Sequence, residues 1–255
     1  MRKNPIKEID NYHLEFLKEL LELNFFKNTT NRAYRTFAID QAKFIESIEK
    51  DPFVQEDSAA IIEHLKTDKE KLTLYPELVL TMTFIYAIAT FEAYFTNITA
   101  EFFRASITNL NSTKKTLTYE NILKAKSLRT LKEDIIKAEL YEIGYLSFKE
   151  KLSFLENRFK IIFNHKMVSN SKTDSNKFNL EALSEIFSRR NIIMHHGGSV
   201  DEKYLKDNPK YKFRKGVILK IDVDYFSNAI HHLIDIGTIL ATSYIDKIKP
   251  KQTSN

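Results

Sequence analysis

Residues 78–91 read LVLTMTFIYAIATF, fourteen consecutive residues without a charged side chain. A helix that crosses a bilayer needs about 20 apolar residues, so this run is short for a membrane span. A helix that is apolar on all sides is typical of a protein core. Pro76 is a favourable first-turn residue for such a helix, and the apolar pattern continues to about Arg104. The sequence therefore predicts a central core helix over residues 76–104.

Most of the remaining chain also has the pattern of amphipathic helices, with apolar residues at three- and four-residue steps. The predicted helices cover residues 6–27, 32–50, 58–72, 76–104, 119–139, 147–164, 180–195 and 225–248. With only 5 Gly and 5 Pro in 255 residues, the chain lacks the turn residues that a β-sandwich or barrel uses. The predicted fold class is all-α, a helical bundle.

One short segment departs from the helical period. In residues 217–223 every second side chain is aliphatic, which is typical of a strand. We expect it to form a small β-hairpin with residues 211–214, inserted after the helix at 180–195. A soft boundary near residue 75 would divide the chain into an N-terminal helical extension of unknown role, residues 1–75, and a helical domain, residues 76–255.

The composition excludes several classes of function. The chain contains no Cys, which excludes a disulfide framework, a thiolate zinc site, an iron–sulfur cluster and a Cys nucleophile. Neither GxGxxG nor GxxxxGK[ST] occurs, so a Rossmann dehydrogenase and a Walker-type NTPase are excluded as well. Residues 1–13 have no apolar run after their basic residues, so they do not predict a secretory signal. We expect a cytoplasmic protein.

Positive charge is concentrated near the end of the chain. The formal net charge is +5, and residues 203–220 contain seven basic side chains against Asp207 alone. Such a segment could attract a polyphosphate. It could equally be a solvated loop rich in lysine, and the charge by itself does not decide between the two interpretations.

The helix predicted at 180–195 combines an apolar face with three polar side chains near its end. On a helical wheel Arg190 falls in the middle of the apolar arc, and Asn191 and His195 share one face at its flank. A guanidinium stays charged and is costly to bury unpaired, so Arg190 should meet an acid, line a cleft or lie in an interface. One alternative is purely structural: Arg190 pairs with Glu92, and His195 favours the helix C-terminus.

Residues 189–205, RRNIIMHHGGSVDEKYL, resemble the signature of the HEPN superfamily (higher eukaryotes and prokaryotes nucleotide-binding). The family is marked by Arg, four to six residues, and His, commonly with Asn directly after the Arg. The form RN-x3-H followed by two glycines is similar to a branch of prokaryotic defence and toxin proteins. Residues 83–103 resemble the family's earlier core helix, and the likeness covers about residues 76–245.

The resemblance implies a helical bundle that dimerises, so that two Arg–His motifs face one cleft. Many family members are metal-independent endoribonucleases that need no cofactor. Arg190, Asn191 and His195 are the catalytic candidates that follow from the motif. Arg189 and His196 satisfy looser spacings of the same motif, but the Asn in second position favours Arg190. The candidate substrate-binding residues are His196, Glu92, Lys203, Lys212, Arg214 and Lys215.

The expected function is therefore RNA cleavage through attack of the 2′-OH, which leaves a 2′,3′-cyclic phosphate. The resemblance places it in anti-phage defence or toxin–antitoxin growth arrest. The expected partners are RNA, a second copy of the chain, and an antitoxin or other defence subunit, with no membrane. The alternative is a catalytically inactive HEPN-like module that binds a nucleotide or a partner protein.

Overall fold

The computed structural model describes residues 4–50, 59–105, 110, 116–161 and 179–249. These residues are predominantly helical, as the all-α prediction required. The helices are α1 (Pro5–Glu49), α2 (Ala59–Ala105), α3 (Tyr119–Lys124), α4 (Leu128–Gly144), α5 (Phe148–Phe159), α6 (Leu180–His196), α7 (Glu202–Asp207) and α8 (Val223–Ile248).

The two longest helices are each continuous where the sequence predicted a pair. α1 runs through residues 28–31, which are polar, and α2 contains Pro76 in its interior. An interior Pro removes one backbone hydrogen bond and costs about 3 kcal/mol or more. α1 and α2 pack along each other more extensively than any other pair of helices in the described residues, and that packing offsets the loss.

α1, α2 and α8 meet at a close contact built on one glycine. The ring of Phe16 stacks on Tyr94 with 4.3 Å between centroids, and the Tyr94 hydroxyl donates to the Gly237 carbonyl at 2.7 Å. A Cβ at position 237 would lie 2.5 Å from the Phe16 ring. Residues of α1 thus belong to the same core as α2 and α8, and the boundary expected near residue 75 falls inside α2.

The middle of the chain is divided into shorter helices than predicted. The expected helix at 119–139 is interrupted, because Ser127 caps a new helix by accepting a hydrogen bond from the Thr130 amide. Ser147 and Glu150 form a capping box at the start of α5. α5 ends at Phe159, and residues 162–164 of the prediction lie outside the described part of the chain.

The expected β-hairpin is not formed as two strands in the described residues. The extended segment pairs instead with the residues that directly follow α6, through one isolated antiparallel bridge between Ser199 and Ile218. Backbone hydrogen bonds from Val200 to Val217 and from Leu219 to Gly198 flank the bridge, both at 2.9 Å. The alternation of aliphatic residues therefore correctly predicted extended backbone. The segment that pairs with residues 217–219 is 198–200 rather than 211–214.

Part of α2, Leu74–Ala105, is long and apolar enough by composition to cross a membrane. Half of its most apolar window is buried inside the protein. The core helix of a soluble protein passes the same test, so the segment is weak evidence of a membrane span.

Candidate active site at the end of helix α6

Capping residues set where α6 begins and ends. Asn179 caps the first turn by accepting hydrogen bonds from the amides of Glu181 and Ala182, each at 3.1 Å. At the other end Gly197 has φ 59° and Gly198 has φ 81°, the left-handed conformation that favours glycine. A Cβ on Gly198 would lie 3.0 Å from the Leu219 carbonyl. The two glycines therefore stop the helix and let the extended segment approach its end.

One side of α6 is fixed by a buried network centred on Glu185. Its carboxylate accepts hydrogen bonds from Arg189 Nε at 2.7 Å, from the Tyr225 hydroxyl at 2.6 Å and from the Tyr204 hydroxyl. The Arg189 guanidinium also donates to the Lys220 carbonyl at 3.3 Å and lies 3.8 Å from the Tyr225 ring centroid. The network joins α6 to α7, to the extended segment and to α8.

Burial and the neighbouring charges together shift the pKa values of this network. Removal from water raises the pKa of Tyr225 well above its ordinary value, and the nearby Glu185 carboxylate raises it further. Burial works against the charged form of Arg189, but the facing tyrosines and Glu185 raise its pKa overall. The phenols therefore stay neutral donors and the arginine stays charged. This network could not be predicted from local patterns, because its members come from four separate parts of the chain.

Arg190, the next residue, points about 100° away around α6 and faces α2 instead. Its Nη2 forms an ion pair with Glu92 Oε1 of α2 at 2.5 Å. The side chains of Arg190 and Glu92 are 20% and 38% exposed, whereas Arg189 is 9% exposed. The Arg190–Glu92 pairing that the sequence suggested is thus present, in an open rather than an enclosed position.

A third charged residue, Lys151 of α5, lies half-buried beside this pair. Burial lowers the pKa of Lys151, the Arg190 charge lowers it further, and the Glu92 charge partly opposes both. The sequence did carry a signal for this residue. Lys151 falls between Phe148 and Leu155, which are buried, so a lysine occupies the core-facing side of an amphipathic helix.

Asn191 and His195 lie beyond Arg190 on the exposed end of α6. Their spacing of four residues places them on one face, one turn apart. His196 is oriented differently: its Nε2 lies 3.6 Å from Asp201 Oδ2. Asn191 and His195 are thus exposed in the last turns of α6, Arg190 is partly buried against Glu92 just before them, and His196 faces Asp201 at the start of α7.

The basic segment contributes less free charge than its composition suggests. Three of its lysines form ion pairs with acids of other elements: Lys210 with Glu181, Lys215 with Glu202 and Lys220 with Glu77. Lys203 is exposed, and its charge adds a small contribution to the lowered pKa of Glu150, which is due mainly to hydrogen bonds with Ser147.

The remaining candidates of this segment are more accessible. Lys212 and Arg214 are exposed and have no ion-pair partner within the part of the chain that the structure describes. Of the four basic residues named as substrate-binding candidates, Lys212 and Arg214 are therefore the most available to a polyanion.

Among the described residues, no group of three or more His, Cys, Asp or Glu side chains is placed to hold a metal ion. Comparison of the chain with protein-family models finds no match, and neither curated proteins nor solved structures give one. The interpretation of the site therefore depends on its own residues and on the resemblance of residues 189–205 to the HEPN signature.

Proposed function

We propose that this chain is a metal-independent endoribonuclease of the HEPN type. The observation that carries the proposal is the different environment of the two adjacent arginines of α6. Arg189 is bound within a buried network, whereas Arg190 is partly exposed and is followed by Asn191 and His195, which are both exposed. This supports the RN-x3-H assignment over the looser spacing that begins at Arg189.

The chemistry suits these three side chains. A general base removes the proton of the RNA 2′-OH, the oxygen attacks the adjacent phosphorus, and the P–O5′ bond breaks as a general acid protonates the leaving oxygen. His195 can serve as either proton carrier near neutral pH. Arg190 offers a planar fork to the non-bridging phosphate oxygens, and Asn191 can orient the imidazole or bind phosphate. The products are a 2′,3′-cyclic phosphate and a 5′-OH.

The reaction needs both an acid and a base, and a second copy of the chain would supply the second His195. An exposed apolar residue beside the motif supports such a dimer. Met194 follows Arg190 by one turn on α6 and is 53% exposed. Because exposed apolar side chains next to a functional motif are candidates for an interaction surface, we place the dimer contact at the end of α6 around Met194.

The direct test is an incubation of the purified protein with total RNA in excess EDTA, followed by mapping of the fragment ends. The wild type should cleave and leave 2′,3′-cyclic phosphates, whereas Arg190→Ala and His195→Ala should not. His231→Ala is the matched control, since His231 is exposed on α8, away from the motif. Cleavage shared by all the variants would mean that the site is misplaced or that the activity is a contaminant.

The biological setting is proposed on the resemblance alone. We propose a cytoplasmic protein that acts in anti-phage defence or toxin–antitoxin growth arrest, with an antitoxin or another defence subunit as a further partner. Induced expression in a bacterium should then stop growth, and His195→Ala should relieve the arrest. Equal growth of cells that express the wild type and the variant at the same level would argue against a toxin.

A second candidate is a catalytically inactive HEPN-like module that binds a nucleotide or a partner protein. The Arg190–Glu92 ion pair favours it, because a guanidinium already engaged by a carboxylate is less free to bind a phosphorane. The two candidates differ in one measurement. In an inactive module His195→Ala changes binding or stability while RNA stays intact with every form of the protein.

A further inference from the structure

Three helices bring two cations and one carboxylate together beside the motif. α5 contributes Lys151, α6 contributes Arg190 and α2 contributes Glu92. Only Arg190 and Glu92 are within ion-pair distance, at 2.5 Å. Phe148, one turn before Lys151 on α5, stacks on Phe187 of α6 with 4.5 Å between ring centroids and lies 6.1 Å from Phe91 of α2, so α5 packs against both helices next to the pair. Lys151 has no ion pair within 4.0 Å among the described residues, although it interacts electrostatically with both. Two cations thus share one carboxylate.

This arrangement is costly for the folded protein. Burial disfavours the ammonium, and the nearby guanidinium adds like-charge repulsion, so both lower the pKa of Lys151. Methionine would fill the same space on the buried side of α5 without that penalty. A charged group that is partly buried beside specific charged neighbours is a candidate for a functional site.

We propose that Lys151 and Arg190 form a two-cation subsite for one phosphodiester of RNA, with Glu92 as the resident anion that the phosphate replaces. The proposal rests on the proposed function and adds to it a residue outside the Arg–Asn–His motif. A phosphodiester has two non-bridging oxygens. The Arg190 fork can bind them in its plane, and the Lys151 ammonium can approach as a point charge from the other helix.

Glu92 has a distinct role in this subsite. In the free protein it holds the Arg190 side chain in place and partly neutralises the two cations. When a phosphate enters, the carboxylate becomes a like charge that opposes binding. Removal of its charge should therefore strengthen the binding of RNA, whereas removal of the Lys151 charge should weaken it.

The test is a binding titration with a short 2′-O-methyl oligoribonucleotide, which lacks the nucleophile and cannot be cleaved by the proposed chemistry. Lys151→Met should raise the Kd about tenfold or more, as expected for a hydrogen bond to a charged group. It should also reduce the salt dependence of log K by about 0.7, the value for one phosphate contact on a single strand. Glu92→Gln should lower the Kd. Lys126→Met is the matched control, because Lys126 is exposed in the segment between α3 and α4, and its Kd should equal that of the wild type.

Thermal unfolding of the same proteins separates a subsite from a merely structural lysine. Lys151→Met should raise the Tm while it weakens binding, since the burial penalty is removed together with the phosphate contact. A Kd within twofold of the wild type would overturn the proposal, whatever the change in Tm. A Glu92→Gln variant that binds more weakly than the wild type would also overturn it, because the carboxylate would then be a ligand rather than a competitor.

The binding result for Lys151→Met tests the subsite whether or not the protein cleaves RNA. If the wild type binds the oligonucleotide but never cleaves natural RNA, the ribonuclease proposal fails while the subsite is still judged by Lys151→Met. If the wild type cleaves RNA and Lys151→Met cleaves with unchanged KM, the ribonuclease stands and the subsite is rejected. A wild type that binds no oligonucleotide overturns both.

Discussion

Arg189 and Arg190 are adjacent in the chain, and the fold treats them in opposite ways. Arg189 is enclosed by Glu185, Tyr204 and Tyr225, and every partner is itself satisfied. Arg190 reaches across to α2 and meets one carboxylate in a half-open position. The difference shows that Arg189 joins α6 to its neighbours, whereas Arg190 is more accessible, as the proposed chemistry requires.

The largest effect should follow from removal of the buried arginine. Arg189→Met leaves Glu185 charged and buried without its cation, and the loss of one partner from a buried pair costs about 3–5 kcal/mol. The free energy of unfolding, measured by denaturant titration, should fall by that amount. Arg190→Met is the matched variant and should cost about 1 kcal/mol or less. Equal losses for the two variants would remove the contrast.

The second effect concerns the two histidines at the end of α6. His195→Ala should reduce RNA cleavage by about 10²–10⁴-fold, the usual contribution of a general acid or base, with an unchanged Tm. His196→Ala should reduce it far less, since His196 faces Asp201. Initial rates on one RNA substrate measure both. A larger loss with His196→Ala would move the motif by one residue.

A third prediction concerns alkaline pH. The pKa of Tyr225 is raised in the folded protein, so the folded state holds this proton more tightly than the unfolded state does. The stabilisation that the protonated Tyr225 gives to the folded state is complete below the ordinary tyrosine pKa of about 10, and it is lost as the pH rises above that value. Unfolding titrations from about pH 8 to 11 should show that the free energy of unfolding declines with pH, and that it declines less in Tyr225→Phe than in the wild type. Tyr119→Phe, at an 86% exposed position, should decline as the wild type does.

The smallest effect should come from the Arg190–Glu92 ion pair, which is partly exposed. Glu92→Gln should change the free energy of unfolding by about 0–1 kcal/mol, because ion pairs that are partly exposed contribute little. A loss of several kcal/mol would show that Glu92 and Arg190 are a structural pair like Glu185 and Arg189. Denaturant titration at moderate salt is sufficient to distinguish the two results.

Much of this arrangement could be predicted locally. The apolar run at 78–91 predicted a core helix, and the step pattern predicted α6 and α8 within a few residues. Gly197 and Gly198 predicted the end of α6 correctly. The Arg190–Glu92 pair was also within reach, since Glu92 interrupts an otherwise apolar stretch of α2.

Other features depend on contacts that no local pattern contains. Pro76 suggested a helix start, but packing against α1 keeps α2 continuous. The extended residues 217–219 were recognised, but their partner after α6 was not. Lys151 could be flagged as a charge on an apolar face, but only the approach of α2 and α6 gives it Glu92 and Arg190 as neighbours.

A helical protein with an Arg–Asn–His motif near the end of one helix could be predicted from the sequence, because residue periodicity and glycine conformation act within a single element. Which of the two adjacent arginines is enclosed depends on how the helices pack. The helical wheel placed Arg190 in the apolar arc. The rings of Phe213 and Tyr225 and the Lys220 carbonyl cover another side of α6 and enclose Arg189 instead. Burial depends on what packs against each face, and that is set by residues distant in the chain.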